Sequence, residues 1–173
     1  MGMKLDRRLL WLTSLGVSLL WLSQAATAKE IEGTITTTLT ITENSVLVGD
    51  VTCAVASAPC IAFGAPNITL DLDGYAITGQ ADPETGCSGT GVGTEIGIDV
   101  NGQSGAIIRG PGVVRQMRGF GIRLNNSNGG KITDVTASTN CFSGFYLNAS
   151  SGYELQRNVS VRNGHMTNPC GGI

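Results

Sequence analysis

The sequence is poor in charge, in aromatic rings and in histidine, and each shortage removes a class of function. Charged residues make up 14% and aromatic residues 5% of the 173 positions, and His165 is the single histidine. One histidine cannot complete a usual zinc set, and none of the five cysteines has C-x-x-C spacing. His165 lies in "NGHMTNPC" with no partner Ser, Cys or carboxylate motif, so it reads as a surface residue. No G-x-S-x-G, P-loop or H-E-x-x-H motif occurs. The glycine-rich "GTGVG" near residue 90 joins no strand to a helix, so it does not read as a phosphate loop. Uninterrupted helical periodicity is missing after residue 29, and nothing beyond the first 28 residues is apolar enough to span a bilayer.

Those first residues form a leader. "MGMKLDRR" is a positively charged start, "LLWLTSLGVSLLWL" is an apolar run of 14, and "SQAATA" ends in small residues. This is the order of a secretory signal cut after Ala28. An uncleaved anchor is the alternative, although the run is short for a bilayer span. Residues 1–28 are thus expected to be a signal peptide and 29–173 a domain outside the cytoplasm: secreted, periplasmic or at the cell surface. No membrane contact is expected after cleavage. The remaining 145 residues suffice for one domain with a core.

Cleavage removes Lys4, Arg7, Arg8 and Asp6, leaving eight basic and twelve acidic residues and a net charge of −4. The charge is uneven, with one basic and ten acidic groups in 29–99 against seven basic and two acidic in 100–173. An acidic chain is a poor partner for nucleic acid. The basic half leaves room for an acidic polymer.

Abundant in this chain are 25 glycines and many Thr, Ser and Asn, which punctuate short β-branched runs. The runs repeat. "LDLDG" (Leu70 to Gly74), "IDVNG" (Ile98 to Gly102), "IRLNN" (Ile122 to Asn126) and "FYLNA" (Phe145 to Ala149) align without gaps, at offsets of 28, 24 and 23 residues. Gly97, Gly121 and Gly144 directly precede the last three copies. A second register, "ITDVTAS" (Ile132 to Ser138) and "LQRNVSV" (Leu155 to Val161), recurs about one period later with a one-residue difference.

Stacked coils account for every column. Leu70, Ile98, Ile122 and Phe145 would point inward, as would Leu72, Val100, Leu124 and Leu147. Asp71, Asp99, Arg123 and Tyr146 would then point outward, because side chains alternate along a strand. Asp73, Asn101, Asn125 and Asn148 would fall at a corner, where Asx residues tolerate left-handed backbone and their side chains can ladder from coil to coil. A period of 23 to 28 with strands predicts an all-β fold, a parallel β-helix of about four to five coils. Its handedness is expected to be right, as in other parallel crossovers. The L-x-x-L-x-L signature of leucine-rich repeats is absent. The expected layout is an N-terminal cap region over 29–60 followed by coils over 61–173.

"NITLDLDGYAITG", "IIRGPGVV", "GFGIRLNNSNGGKITDVTAS" and "GYELQRNVSVRNG" resemble the secreted bacterial right-handed parallel β-helix proteins of the pectate-lyase-like superfamily, over residues 45–173. That group holds polysaccharide lyases, glycoside hydrolases, carbohydrate epimerases, adhesins and members with no assigned reaction, so the fold does not settle function. The resemblance implies an extracellular polysaccharide or glycan as partner. It also implies that acidic groups, calcium and a basic residue on an outward face would do any chemistry.

Cysteines in a secreted chain are expected to pair. Cys53–Cys60 closes a short loop around "AVASAP". Cys141 and Cys170 fall on adjacent coils, about 4.8 Å apart between strands, and are expected to form the second bridge. Cys87 would be left over. Gly172-Ile173 repeats Gly144-Phe145 after 28 residues, so the sequence stops on the first inward residue of a new coil. Further coils beyond Ile173 are expected, edge-to-edge association being the alternative.

The outward column supplies the candidate site. Asp71 and Asp99 on adjacent coils would serve as an acid and base pair or hold calcium, the one ion expected, with Arg123 binding a uronate carboxylate or stabilising negative charge. The alternative is an exposed Asp99–Arg123 ion pair of little energetic value. Arg109, Arg115 and Arg118, with Arg123 and the outward Tyr146, would grip an acidic glycan, or else are solvated residues balanced by acidic neighbours. Asn67, Asn125, Asn148 and Asn158 start N-x-S/T sequons, which Thr/Ser-rich coils produce by chance. "DLDG" opens like an EF-hand, but the twelfth residue from Asp71 is Asp82 rather than Glu. The function read from the sequence is recognition, with processing left open, of an extracellular carbohydrate. The rival is a non-catalytic surface or adhesion scaffold.

Overall fold

The structure, a computed structural model, describes residues 27–81, 87 and 92–164. The expectations for residues 1–26, His165, Cys170 and Gly172-Ile173 lie outside the described residues. Among those described the chain is all-β, without a helix. In chain order the strands are β1 (Lys29–Ile35), β2 (Leu39–Ile41), β3 (Ser45–Cys53), β4 (Pro59–Phe63), β5 (Thr69–Asp71) and β6 (Ala76–Thr78). There follow β7 (Ile96–Asn101), β8 (Ile107–Arg115), β9 (Ile122–Asn125), β10 (Asn128–Ser138), β11 (Phe145–Asn148), β12 (Ser151–Gln156) and β13 (Val159–Val161).

Two sheets collect these strands. The larger runs β1-β3-β5-β8-β10-β12, with β6 and β13 alongside, and the smaller runs β2-β4-β7-β9-β11. Every neighbouring pair is parallel. The chain passes from one sheet to the other and back, so each circuit adds a rung to both. This arrangement is consistent with a solenoid. Residues 29–60, expected as a cap, already supply rungs to both sheets.

Between the sheets lies one apolar core, because each strand turns alternate side chains inward. In the smaller sheet Ile61, Ile98 and Ile122 stack on Phe145, all essentially inaccessible. Ser45, Leu70, Ile108, Ile132 and Leu155 form the corresponding column of the larger sheet. Leu147 pairs with Leu124 as the repeat requires, but on β11, the last described rung of its sheet, it is 38% exposed rather than fully inward.

Three of the four aligned copies hold. Ile98, Ile122 and Phe145 share one column, with Asn101, Asn125 and Asn148 at its end. The first copy does not belong with them. Leu70-Asp71 lies in the larger sheet, between Ser45-Val46 and Ile108-Arg109, and the true partner of Ile98 is Ile61. Ile61 precedes Ile98 by 37 residues because the connection between β6 and β7 is long. The match of Leu70 to Ile98 therefore compared two strands from opposite walls.

The second register is simpler than expected, since Ile132 to Ser138 pairs with Leu155 to Val161 at a constant offset of 23, with no one-residue difference. Asp73 does stand at a corner, but one inside the larger sheet. It shares positive φ there with Asp134 and Arg157 (43°, 60° and 53°). At the smaller sheet's corner the amides do ladder: Asn148 Nδ2 donates to Asn125 Oδ1 (2.7 Å), and Asn125 Nδ2 to Asn101 Oδ1 (3.0 Å). The left-handed backbone falls one residue later, at Gly102, Asn126 and Ala149.

Rung spacing explains the glycine before two of the three true copies. A Cβ on Gly97 would come within 2.6 Å of the Gly121 carbonyl, and one on Gly121 within 2.7 Å of the Gly144 carbonyl. Backbone approaches too closely there for any side chain.

Cys53 and Cys60 form a disulfide. Cys141 bonds to Cys87, with Cα atoms 5.5 Å apart, and so is not the partner of Cys170; Cys87 is not left over. Period spacing relates neighbouring rungs only, whereas this bridge skips one. The connections before β7, β9 and β11 lie one above another, as Gly93 N–H to Arg118 O and Cys141 N–H to Met117 O record. Cys87 in the first reaches Cys141 in the third.

Candidate functional site

The outward column of the smaller sheet runs Thr40, Ala62, Asp99, Arg123 and Tyr146. Arg123 donates from Nε to Asp99 Oδ1 and from Nη2 to Oδ2, both at 2.8 Å. This two-pronged geometry fixes both side chains, and charge assistance strengthens each bond. The hydrogen bonds and charge of Asp99 raise the Arg123 pKa, against the lowering effect of its partial burial. Asp99 is only 5% exposed, so the pair is more sheltered than the surface bridge considered from sequence.

Tyr146 stands beside Arg123 on the next rung and is 36% exposed. Its ring stacks on Phe120, with centroids 4.4 Å apart and planes inclined by 26°. Phe120 in turn lies 5.3 Å from Phe142. Both phenylalanines come from the connections that lead into β9 and β11, two and three residues ahead of the first inward residue. Sequence reasoning missed them. The signal was present, because "FGIRLN" and "FSGFYLN" each carry a Phe just upstream of the repeat. The result is a row of three rings flanking a charge-balanced pair.

Asp71 is elsewhere. It lies on the larger sheet, where Arg109 donates to its Oδ2 through Nε (3.0 Å) and also through Nη2. Its Oδ1 accepts the Asp73 N–H at 3.1 Å. Hydrogen bonding to Asp71 raises the Arg109 pKa. The pair walls a cleft of about 430 Å³ that Asn44, Val46, Thr69 and Ala28 help to line. Asp71 and Asp99 thus face opposite ways on different sheets, and the proposed acid–base or calcium pair is not formed.

The arginines expected as a cluster are dispersed. Arg115 faces outward on the larger sheet and donates to Thr78 Oγ1 (3.1 Å). Arg118 turns toward Glu95, a fully buried carboxylate that sequence reasoning did not single out, and reaches the Val55 carbonyl at 3.3 Å. Glu95 Oε1 also accepts the Gln80 N–H (3.0 Å). Among the described residues no three His, Cys, Asp or Glu side chains gather as a metal site would require. No helix of the described residues is long and apolar enough to cross a membrane. No protein-family model, curated protein or solved structure matches the chain.

Proposed function

We propose that the chain is a right-handed parallel β-helix of the pectate-lyase-like kind. It is exported by its leader to the periplasm, the cell surface or the medium, where it recognises an extracellular carbohydrate. The stacked parallel strands support the fold reading, since parallel crossovers are overwhelmingly right-handed. Two disulfides are compatible with an oxidising compartment. The first strand begins at Lys29, so a cut after Ala28 would leave both sheets whole.

One observation carries the binding assignment: the Phe120–Tyr146 stack beside the Asp99–Arg123 pair on an open sheet face. Sugar rings present C–H faces that pack on aromatic rings and hydroxyls that exchange hydrogen bonds with fixed polar groups. Recognition without turnover is the better form of this reading. Asp71 and Asp99 are separated, and each is held by an arginine, so neither stands ready to move a proton with the other. A plain surface scaffold is the second reading, favoured by the ion pairs and Asn ladder that occupy so much of the outward face.

Affinity electrophoresis of the exported protein through gels containing soluble polysaccharides separates the two. Retardation that disappears in Tyr146→Ala supports recognition. Equal mobility in every gel would leave the scaffold reading in place.

A further inference from the structure

We infer that the carbohydrate face of the smaller sheet selects neutral glycans and rejects uronate or sulfated ones; this rests on the recognition reading above. The sequence pointed the other way, toward arginines gripping an acidic polymer. In the folded chain three of those four arginines, Arg109, Arg118 and Arg123, are held by carboxylates.

At the site itself, Arg123 commits two of its five N–H donors to both oxygens of Asp99. Asp99 is 5% exposed and held from both oxygens, so it cannot swing aside to let a ligand anion take its place. An arriving carboxylate would meet a guanidinium already neutralised and a carboxylate of its own sign. A neutral sugar meets no such conflict. Its hydroxyls can accept from the three remaining Arg123 N–H groups, while its C–H face lies on Tyr146, the exposed ring of the row.

Beyond the site, most arginines of the described residues already have a carboxylate partner, which leaves little free charge for a polyanion to follow. Arg109 is bound by Asp71, Arg118 by Glu95 and Arg157 by Asp134. With the leader removed the protein is net negative as well. Polyanion binding draws its affinity from unneutralised charge, and these pairs reduce that term.

Calorimetric titration of the full exported chain tests this with two sets of probes at low and high salt. One set is hexasaccharides of β-1,4-linked glucose, xylose and mannose; the other is oligogalacturonate and a sulfated oligosaccharide. Binding of at least one neutral probe, unchanged by salt, is expected, weakened about tenfold in Tyr146→Ala. Asp99→Asn removes the negative partner and frees the guanidinium. It should create salt-sensitive binding of oligogalacturonate that the parent lacks, whether or not the alanine variant folds. Preference of the parent for oligogalacturonate would overturn neutral selectivity and leave carbohydrate recognition standing. Failure to bind any member of either set would overturn recognition itself, and this inference with it.

Discussion

Glu95 offers the sharpest test of how the long connection between β6 and β7 is held. Its side chain is fully buried and accepts hydrogen bonds from Arg118 Nε and from the Gln80 backbone N–H. Glu95→Ala would leave the Gln80 N–H without its acceptor and Arg118 with the Val55 carbonyl but without this carboxylate. Breaking one side of a buried ion pair costs about 3–5 kcal/mol, mostly because the surviving charge stays desolvated. For a domain whose whole stability is about 5–15 kcal/mol, that is a large fraction. Urea unfolding with disulfides intact is the assay. With a slope of about 2 kcal/mol per M, the midpoint should fall by about 1.5–2.5 M. Glu95→Gln keeps the Gln80 bond and the shape while losing the charge, so it should fall between parent and alanine variant. Replacing both partners by Leu and Met should recover much of the loss, because no charge then remains to be buried. If Glu95→Ala shifted the midpoint no more than an exposed substitution does, the pair would not be a buried clamp and the reasoning would fail.

Three further outcomes follow from other parts of the molecule. Ile122→Ala, at the centre of the inward column between Ile98 and Phe145, should cost about 3 kcal/mol in the same assay, and Leu147→Ala at a partly exposed position clearly less. Arg157 hydrogen-bonds Asp134 through both oxygens at 2.7 Å and holds its carboxyl below the ordinary 3.8. A depressed carboxylate stabilises the fold fully above its unfolded pKa and loses that contribution as pH falls through the folded value, so any effect is full above about 4 and fades below it. Carboxyl-carbon NMR should show Asp134 moving up toward 3.8 in Arg157→Ala or in high salt, with no measurable change in stability, since both side chains are exposed. Non-reducing peptide mapping should return linked peptides for Cys53–Cys60 and Cys87–Cys141; a Cys141–Cys170 peptide would refute the assigned bridge.

The stacking was legible in the sequence because it rests on a local rule repeated at near-constant spacing. Apolar residues two apart, with Asx at the end and Gly at the start, define β7, β9 and β11 and their mutual register. The same rule misled at Leu70, because β5 obeys it too while lying in the other sheet. Alternation says which residues point inward, but not from which wall. Distinguishing the walls needed the length of the connection ahead of Ile96, and a long insertion hides a rung from any search at a fixed period. The Cys87–Cys141 bridge and the Glu95–Arg118 pair were invisible for the same reason, since both start from that insertion. The candidate site was half legible. Asp99, Arg123 and Tyr146 fell in the right column, whereas Phe120 and Phe142 reach it from the connections, outside the repeated strand.

In an array whose rungs touch only their neighbours, an end can fray while the middle stays intact. The connections on one side of this molecule forbid that. Arg118 reaches back past its neighbour to the Val55 carbonyl, and Cys141 is tied to Cys87 across the connection that holds Arg118. Two overlapping reaches, each skipping a rung, work like bricks laid in staggered courses. Peeling β11 away pulls on the connection before β7, and loosening that connection disturbs Glu95 and with it Arg118. The rungs from β4 to β11 therefore share one fate on heating or under load, and a modular architecture melts as a single cooperative unit.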